Sequence, residues 1–133
     1  MAPDRRHLSQ LRQKIVGLRE ERRRVEESLF RPGPMLRGSV SFIPNYYGKP
    51  ECRCKRGHPH GPYPYVADTH EGRRRLTYVK KAERARVQDE VAEYVRVQRS
   101  LASLAKLNAQ IRSCFEQIRD QHCRTVDELR RSR

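Results

Sequence analysis

The feature that most constrains the fold is a long C-terminal segment without helix breakers. From Lys81 to Arg130 there is no Gly or Pro, so nothing in the backbone interrupts a helix. Residues spaced alternately three and four apart mark one narrow seam: Tyr94, Val97, Leu101, Leu104, Asn108, Ile111, Phe115, Ile118, His122, Thr125 and Leu129. Because such a helix is polar outside its seam, it needs a second helix to cover the seam. The sequence therefore predicts a long C-terminal helix over residues 81–133.

Residues 1–31 supply the candidate partner, an N-terminal amphipathic helix. Its apolar positions follow the same spacing, with Arg22 at one polar position: Leu8, Leu11, Ile15, Leu18, Val25 and Leu29. The sequence Arg31-Pro32-Gly33-Pro34 then ends the helix. Since both helices flank the same middle segment, we expect an antiparallel coiled-coil stalk. The shorter N-terminal helix is expected to cover only the first heptads of the longer one.

Residues 108–130 are then predicted to lack a cover within the chain. The predicted contacts with a larger protein partner, or with a second copy in a homodimer, are seam positions: Leu104, Ile111, Phe115 and Ile118. Asn108 in the seam would fix the register of the helices. Cys114 and Cys123 are nine residues apart and do not share a helix face. We expect them to fill a seam rather than to bind metal.

The middle segment, residues 35–80, has the alternation of β-strands. Apolar and polar residues alternate over residues 39–42, over residues 63–67 and again over residues 76–80. Between the last two runs, residues 68–72 read as a hairpin loop with Gly72 at its end. The sequence predicts an α+β protein in which a small antiparallel β-sheet head, with a Cys/His loop, is flanked by the two helices.

The Cys/His loop contains a candidate metal site. Its candidate ligands lie within nine residues: Cys52, Cys54, His58 and His60. Thiolates on alternate residues of a turn can share one ion, and a histidine a few residues later can complete a zinc tetrahedron. The alternative is two small buried cysteines and two surface histidines in a Pro-rich turn. Catalytic zinc is disfavoured, since no carboxylate pair accompanies the cluster.

Charge points to a nucleic acid, either DNA or RNA. The chain has 30 Lys and Arg against 16 Asp and Glu, a net charge of +14. Residues 31–86 carry most of the excess, and most of the basic residues are Arg, which suits phosphate recognition. The candidate phosphate contacts are basic residues of the loop and of the hairpin: Arg53, Lys55, Arg56, Arg73, Arg74, Arg75, Lys80, Lys81 and Arg84.

Six of the nine aromatic residues share this middle segment, and exposed tyrosines could stack on unpaired bases. Two structural alternatives stay open. At least half of the tyrosines are expected in the core of the sheet. The arginines could also form a solvated strand edge that blocks aggregation.

Three segments of the chain resemble an uncharacterised family of small prokaryotic proteins. They are Met35-Leu36-Arg37-Gly38-Ser39, residues 47–54 and His60-Gly61-Pro62-Tyr63-Pro64-Tyr65. That family carries Cys-Gly-Lys-Pro-x-Cys-x-Cys followed by His-Gly-Pro-Tyr, a basic hairpin and a helix, often in mobile-element neighbourhoods. The resemblance covers roughly residues 35–100 and implies a domain rather than an activity. If the family site binds zinc, it implies Cys52, Cys54 and His60 as ligands here. Tyr47 replaces the first family Cys, so His58 would have to complete the site.

We therefore expect a non-enzymatic nucleic-acid-binding accessory protein of a mobile-element or ribonucleoprotein system. No Ser/His/Asp order, phosphate-binding Gly loop or paired acids indicate an enzyme, and a metal-dependent nuclease is disfavoured for the same reason. The alternative is a protein–protein adaptor or dimerising subunit that acts through the C-terminal helix. Without an apolar run of about 18 residues or an apolar leader, we expect no membrane contact and a cytoplasmic location.

Overall fold

The computed structural model of the chain describes residues 2–45 and 60–133. Helix α1 (Arg5–Leu29) precedes three strands, β1 (Ser39–Asn45), β2 (His60–His70) and β3 (Arg73–Tyr78). A 3-10 helix (Lys81–Glu83) leads into α2 (Arg84–His122) and α3 (Val126–Arg131). The predicted α+β class, with two helical segments flanking a three-stranded antiparallel sheet, is confirmed. Among the helices of these described ranges, none has both the length and the apolarity needed to span a membrane.

The chain divides into two compact units. The helical unit consists of Met1–Arg31 and Arg99–Arg133, and the sheet unit is Pro32–Gln98. The first turns of α2 therefore belong with the sheet, and its later turns belong with α1.

In the helical unit, α1 runs antiparallel to the distal half of α2. Asp4 caps α1 by accepting hydrogen bonds from the backbone N–H groups of Arg6 and His7. The Asp4 N–H also donates to Gln121 Oε1 (3.1 Å). At the other end, Arg22 Nη1 donates to Asn108 Oδ1 (3.3 Å). Arg22 and Asn108, both predicted from sequence as polar seam positions, thus form a contact between the two helices.

The prediction that residues 108–130 lack a cover in this chain is wrong for the part that α1 contacts. The core of the helical unit contains Leu11, Ile15 and Cys114, with Leu18 and Ile118 packed against it. The seam positions predicted to contact a partner protein therefore differ in how deeply this chain buries them. Ile118 packs against the α1 core, Ile111 is buried and Leu104 is half-buried.

The seam itself is displaced by one residue at two places. Leu107 and Cys114 are buried, at 5% and 1% exposure, whereas their neighbours Asn108 and Phe115 are exposed. Phe115, predicted to be a seam contact, is 54% exposed. Adjacent residues satisfy a three-and-four spacing equally well, so the spacing alone could not choose between them. The face of α2 that meets Leu11 and Ile15 decides the choice.

In the sheet unit, the strands are ordered β1-β2-β3 and both pairs are antiparallel. The central strand β2 contributes two of the buried residues, Val66 and Ala67, while Val79 and Val91 are also buried. Gly38, just before β1, lies against β2. A Cβ at Gly38 would be 2.7 Å from Val66 Cγ1 and 3.0 Å from the Ala67 carbonyl oxygen. This close approach requires a residue without a side chain.

The segment that follows α1 is bound to the early turns of α2. The Leu36 N–H donates to the Glu90 carbonyl (3.0 Å), and the Gly33 N–H donates to Glu93 Oε2 (2.6 Å). Glu93 also accepts hydrogen bonds from Arg96, and these bonds together with that from Gly33 lower its pKa to about 2. Because residues 33–36 occupy this part of α2, the distal part is left for α1. The prediction that residues 108–130 lack a cover within the chain is wrong for this reason.

Candidate nucleic-acid interface

A two-residue turn sets the register of the basic hairpin. Glu71 and Gly72 have φ values of 50° and 77°, as a tight hairpin turn with both central residues left-handed requires. The predicted loop over residues 68–72 is therefore shorter in the structure, since β2 continues to His70 and β3 begins at Arg73. The turn places Tyr65 opposite Tyr78 and Asp68 opposite Arg75.

Strand β3 is exposed along its whole length. Because successive side chains of a strand point to opposite faces, Arg74, Leu76 and Tyr78 share one face, and Arg73 and Arg75 share the other. Leu76 is 46% exposed and Tyr78 is 48% exposed. The three consecutive arginines therefore do not form one surface, although the sequence grouped them together.

Three tyrosines meet on the first of these faces. The Tyr78 ring lies edge-on to Tyr65, with 5.7 Å between centroids, and edge-on to Tyr63, with 6.3 Å between centroids. We call the surface formed by Tyr63, Tyr65, Tyr78, Leu76 and Arg74 the tyrosine face. None of its tyrosines is buried: Tyr63 and Tyr65 are half-buried, and Tyr78 is exposed. The expectation that at least half of the tyrosines fill the core is not met among the described residues.

Arg84 connects the tyrosine face to the start of α2. Its Nη2 donates to Tyr78 Oη (3.2 Å), and its Nε lies 3.5 Å from the Val79 carbonyl oxygen. Arg84 was predicted as a phosphate contact, and the structure places it beside the tyrosine ring instead of leaving it fully solvated. Two bonds to the hairpin fix the position of its guanidinium.

The candidate basic residues differ in whether a carboxylate pairs with them. Arg75 Nε and Nη2 donate to the two carboxylate oxygens of Asp68, at 3.1 and 2.8 Å. These bonds lower the pKa of Asp68 and raise that of Arg75, so the two charges largely cancel. Within residues 2–45 and 60–133, no carboxylate pairs with Arg73, Arg74, Lys80 or Lys81.

Several predicted site residues lie outside the described residues. They are three of the candidate zinc ligands and three of the candidate phosphate contacts: Cys52, Cys54, His58, Arg53, Lys55 and Arg56. His60, the remaining candidate ligand, is half-buried at the first position of β2, opposite Asn45. No group of three His, Cys, Asp or Glu residues suited to a metal ion occurs within the part that the structure describes.

The two distal cysteines differ from each other. Cys114 is buried in the helical core as predicted, but Cys123 is exposed and fills no seam. Helix α2 ends at His122, so the seam does not continue as far as Cys123. This second part of the expectation is wrong.

Comparison with known protein families assigns the chain to a family. A model described as a domain of unknown function (DUF6788) matches residues 8–89, more than half of the chain. The chain belongs to this family. The DUF6788 match includes most of α1, the whole sheet and the basic hairpin, and it ends in the second turn of α2. No curated protein and no solved structure matches the chain significantly.

The sequence analysis named tyrosines of the middle segment as possible stacking groups but did not choose the three that lie together, Tyr63, Tyr65 and Tyr78. The signal that could have found them is the two-residue period of β3, which puts Arg74, Leu76 and Tyr78 together. Tyr78, at the end of this basic strand, both packs against two tyrosines and keeps 48% of its surface exposed.

Proposed function

We propose that this DUF6788 protein binds nucleic acid without catalysing a reaction on it. The observation that carries the proposal is the set of exposed, uncompensated basic side chains around β3: Arg73, Arg74, Lys80 and Lys81. Between residues 73 and 86 there are seven basic residues and one acidic residue. Basic groups without carboxylate partners bind phosphates by releasing the counterions condensed on the nucleic acid.

The distribution of ion pairs along the chain supports this location. In α1 and α2, several arginines pair with glutamates three or four residues away, as Arg22 does with Glu26 and Arg112 with Glu116. Such pairs are the usual solvated surface of a helix. Among the three arginines of β3, Arg75 alone has a comparable partner within the described residues, Asp68. Four of the basic residues without a carboxylate partner among the described residues thus lie close together here, within the nine positions from Arg73 to Lys81.

A salt series with labelled oligonucleotides tests the proposal. We expect fluorescence anisotropy to show binding at low salt, with log K falling against log salt at a slope of about −3 to −4, as for four to five phosphate contacts. Single-stranded and duplex forms of DNA and RNA would all be titrated. Failure of every form to bind at low salt, or binding that salt does not weaken, would contradict the proposal.

The cellular role that we propose is that of a cytoplasmic accessory subunit in a mobile-element or ribonucleoprotein system, because proteins with the resembling motif often lie in mobile-element neighbourhoods. The adaptor alternative depended on a distal seam without a cover. Ile118 instead packs on the α1 core, and Ile111 is buried. Only Phe115 of the four predicted contacts is exposed, so we favour the nucleic-acid role.

The zinc site stays a prediction that rests on the sequence. We propose that Cys52 and Cys54, with His58 or His60 or both, bind about one zinc ion per chain. Serine at both cysteines should release the ion and destabilise the sheet unit, while the helical unit, which contains neither residue, keeps its helices. Elemental analysis of protein purified with zinc present checks this, with Cys123→Ser as the matched control. Metal-free wild-type protein, or equal loss in the control, would refute the site.

A further inference from the structure

The tyrosine face has a composition suited to more than phosphate binding. Tyr78 ends an edge strand, is 48% exposed, and has Leu76, at 46%, two residues before it on the same face. Neither side chain adds to the charge that the proposed function requires. A surface that binds only phosphates would gain nothing from an aromatic ring and a leucine in this position.

The ring of Tyr78 is also held in place. Arg84 donates a hydrogen bond to its hydroxyl, and two edge-on neighbours, Tyr63 and Tyr65, contact the ring from within the sheet. A side chain with few rotatable bonds that is already fixed loses little entropy when a ligand binds. The ring is therefore preorganised in a residue that is 48% exposed.

Base faces are the ligand groups that match an exposed tyrosine next to basic side chains. In a duplex these faces are hidden in the base stack, whereas a single strand exposes them. Arg74 lies on the same strand face as Tyr78, and Lys80 and Lys81 lie two and three residues after Tyr78, the last residue of β3. If a base stacks on the Tyr78 ring, the phosphate on one side of that base can contact Arg74, and the phosphate on the other side can contact Lys80 or Lys81.

We propose that the tyrosine face binds single-stranded nucleic acid, with an unpaired base stacked on Tyr78 and the adjoining phosphates held by Arg74, Lys80 and Lys81. This inference rests on the proposed function and narrows its ligand to unpaired strands. The shared chemistry is an exposed base next to phosphates, which single-stranded DNA and single-stranded RNA both offer. Stacking itself tolerates any base sequence.

The test compares Tyr78→Leu with Tyr78→Phe. Leucine removes the aromatic face, and we expect single-strand affinity to fall about tenfold with an unchanged salt slope, because no charge is lost. Phenylalanine keeps the ring and loses only the bond from Arg84, so it should retain most of the affinity. Duplex binding should be unaffected in both variants. If Tyr78→Leu folds poorly by circular dichroism, Tyr78→Thr provides a β-branched truncation suited to a strand.

The readouts are anisotropy with labelled single-stranded DNA, single-stranded RNA and a duplex, and quenching of tyrosine fluorescence. The chain has six Tyr and no Trp, so quenching by a stacked base is not masked by tryptophan emission. Preference for a single strand of either sugar, lost in Tyr78→Leu, supports the inference, and the tighter sugar identifies the ligand. Salt-dependent binding that Tyr78→Leu leaves unchanged overturns the inference and spares the proposed function. Absence of all binding by wild type overturns both.

Discussion

Cys114→Asp should unfold the helical unit or destabilise it by about 3 kcal/mol or more, because the carboxylate would be buried without a partner. Cys114 is the most deeply buried residue described, at 1% exposure, and it shares a core with Leu11 and Ile15. Thermal or urea unfolding followed by circular dichroism measures the loss. Since α1 and the distal part of α2 depend on each other for a core, we expect helical signal to be lost from both.

The matched control is the next residue, Phe115→Asp. Phe115 is 54% exposed, so an aspartate there should change the free energy of unfolding by no more than about 0.5 kcal/mol. The two variants introduce the same charge one residue apart on the same helix. If Phe115→Asp is the more destabilising, the helices meet in the register that the sequence predicted, and the packing described above is wrong.

Replacing Arg74, Lys80 and Lys81 together with alanine should reduce nucleic-acid affinity by more than about tenfold at low salt and flatten the salt slope by about two to three units. These three residues have no carboxylate partner among the described residues, and they flank Tyr78. The measurement is anisotropy over a salt series. Circular dichroism verifies that the variant folds, as we expect for side chains that are exposed.

The control for this triple variant is Arg130, Arg131 and Arg133 changed to alanine. It removes the same formal charge from a region outside the sheet unit. A local binding surface predicts a small effect from this control, whereas a diffuse positive field predicts equal effects from both variants. Equal losses would therefore refute the assignment of the hairpin as the binding surface.

This choice of residues differs from what the sequence alone favours. The run Arg73-Arg74-Arg75 reads as a single basic cluster, yet the pleat sends Arg74 to the face opposite that of its neighbours, and Asp68 neutralises Arg75. The partner of Arg75 is set by the register of the hairpin, which depends on the conformation of Glu71 and Gly72. Charge counts contain no information on register.

The sequence by itself determined which segments are helical and which are extended, because the local signals agree, although it did not predict the break at residues 123–125 between α2 and α3. The segment after residue 81 has no Gly or Pro, residues 32–34 end α1, and a two-residue alternation marks β2 and β3. It also indicated that α1 and the long C-terminal helix pack antiparallel.

Only the tertiary structure decided which parts of the two long helices meet. Leu107 or Asn108, and Cys114 or Phe115, fit the same heptad spacing, so the choice required the partner surface of α1. The binding of residues 33–36 to the early turns of α2 likewise involves residues far apart in sequence. The same holds for the tyrosine face, because Tyr63, Tyr65 and Tyr78 come together only when two strands pair in one register. Local patterns determine secondary structure, whereas contacts between distant residues depend on which packing buries the most apolar surface.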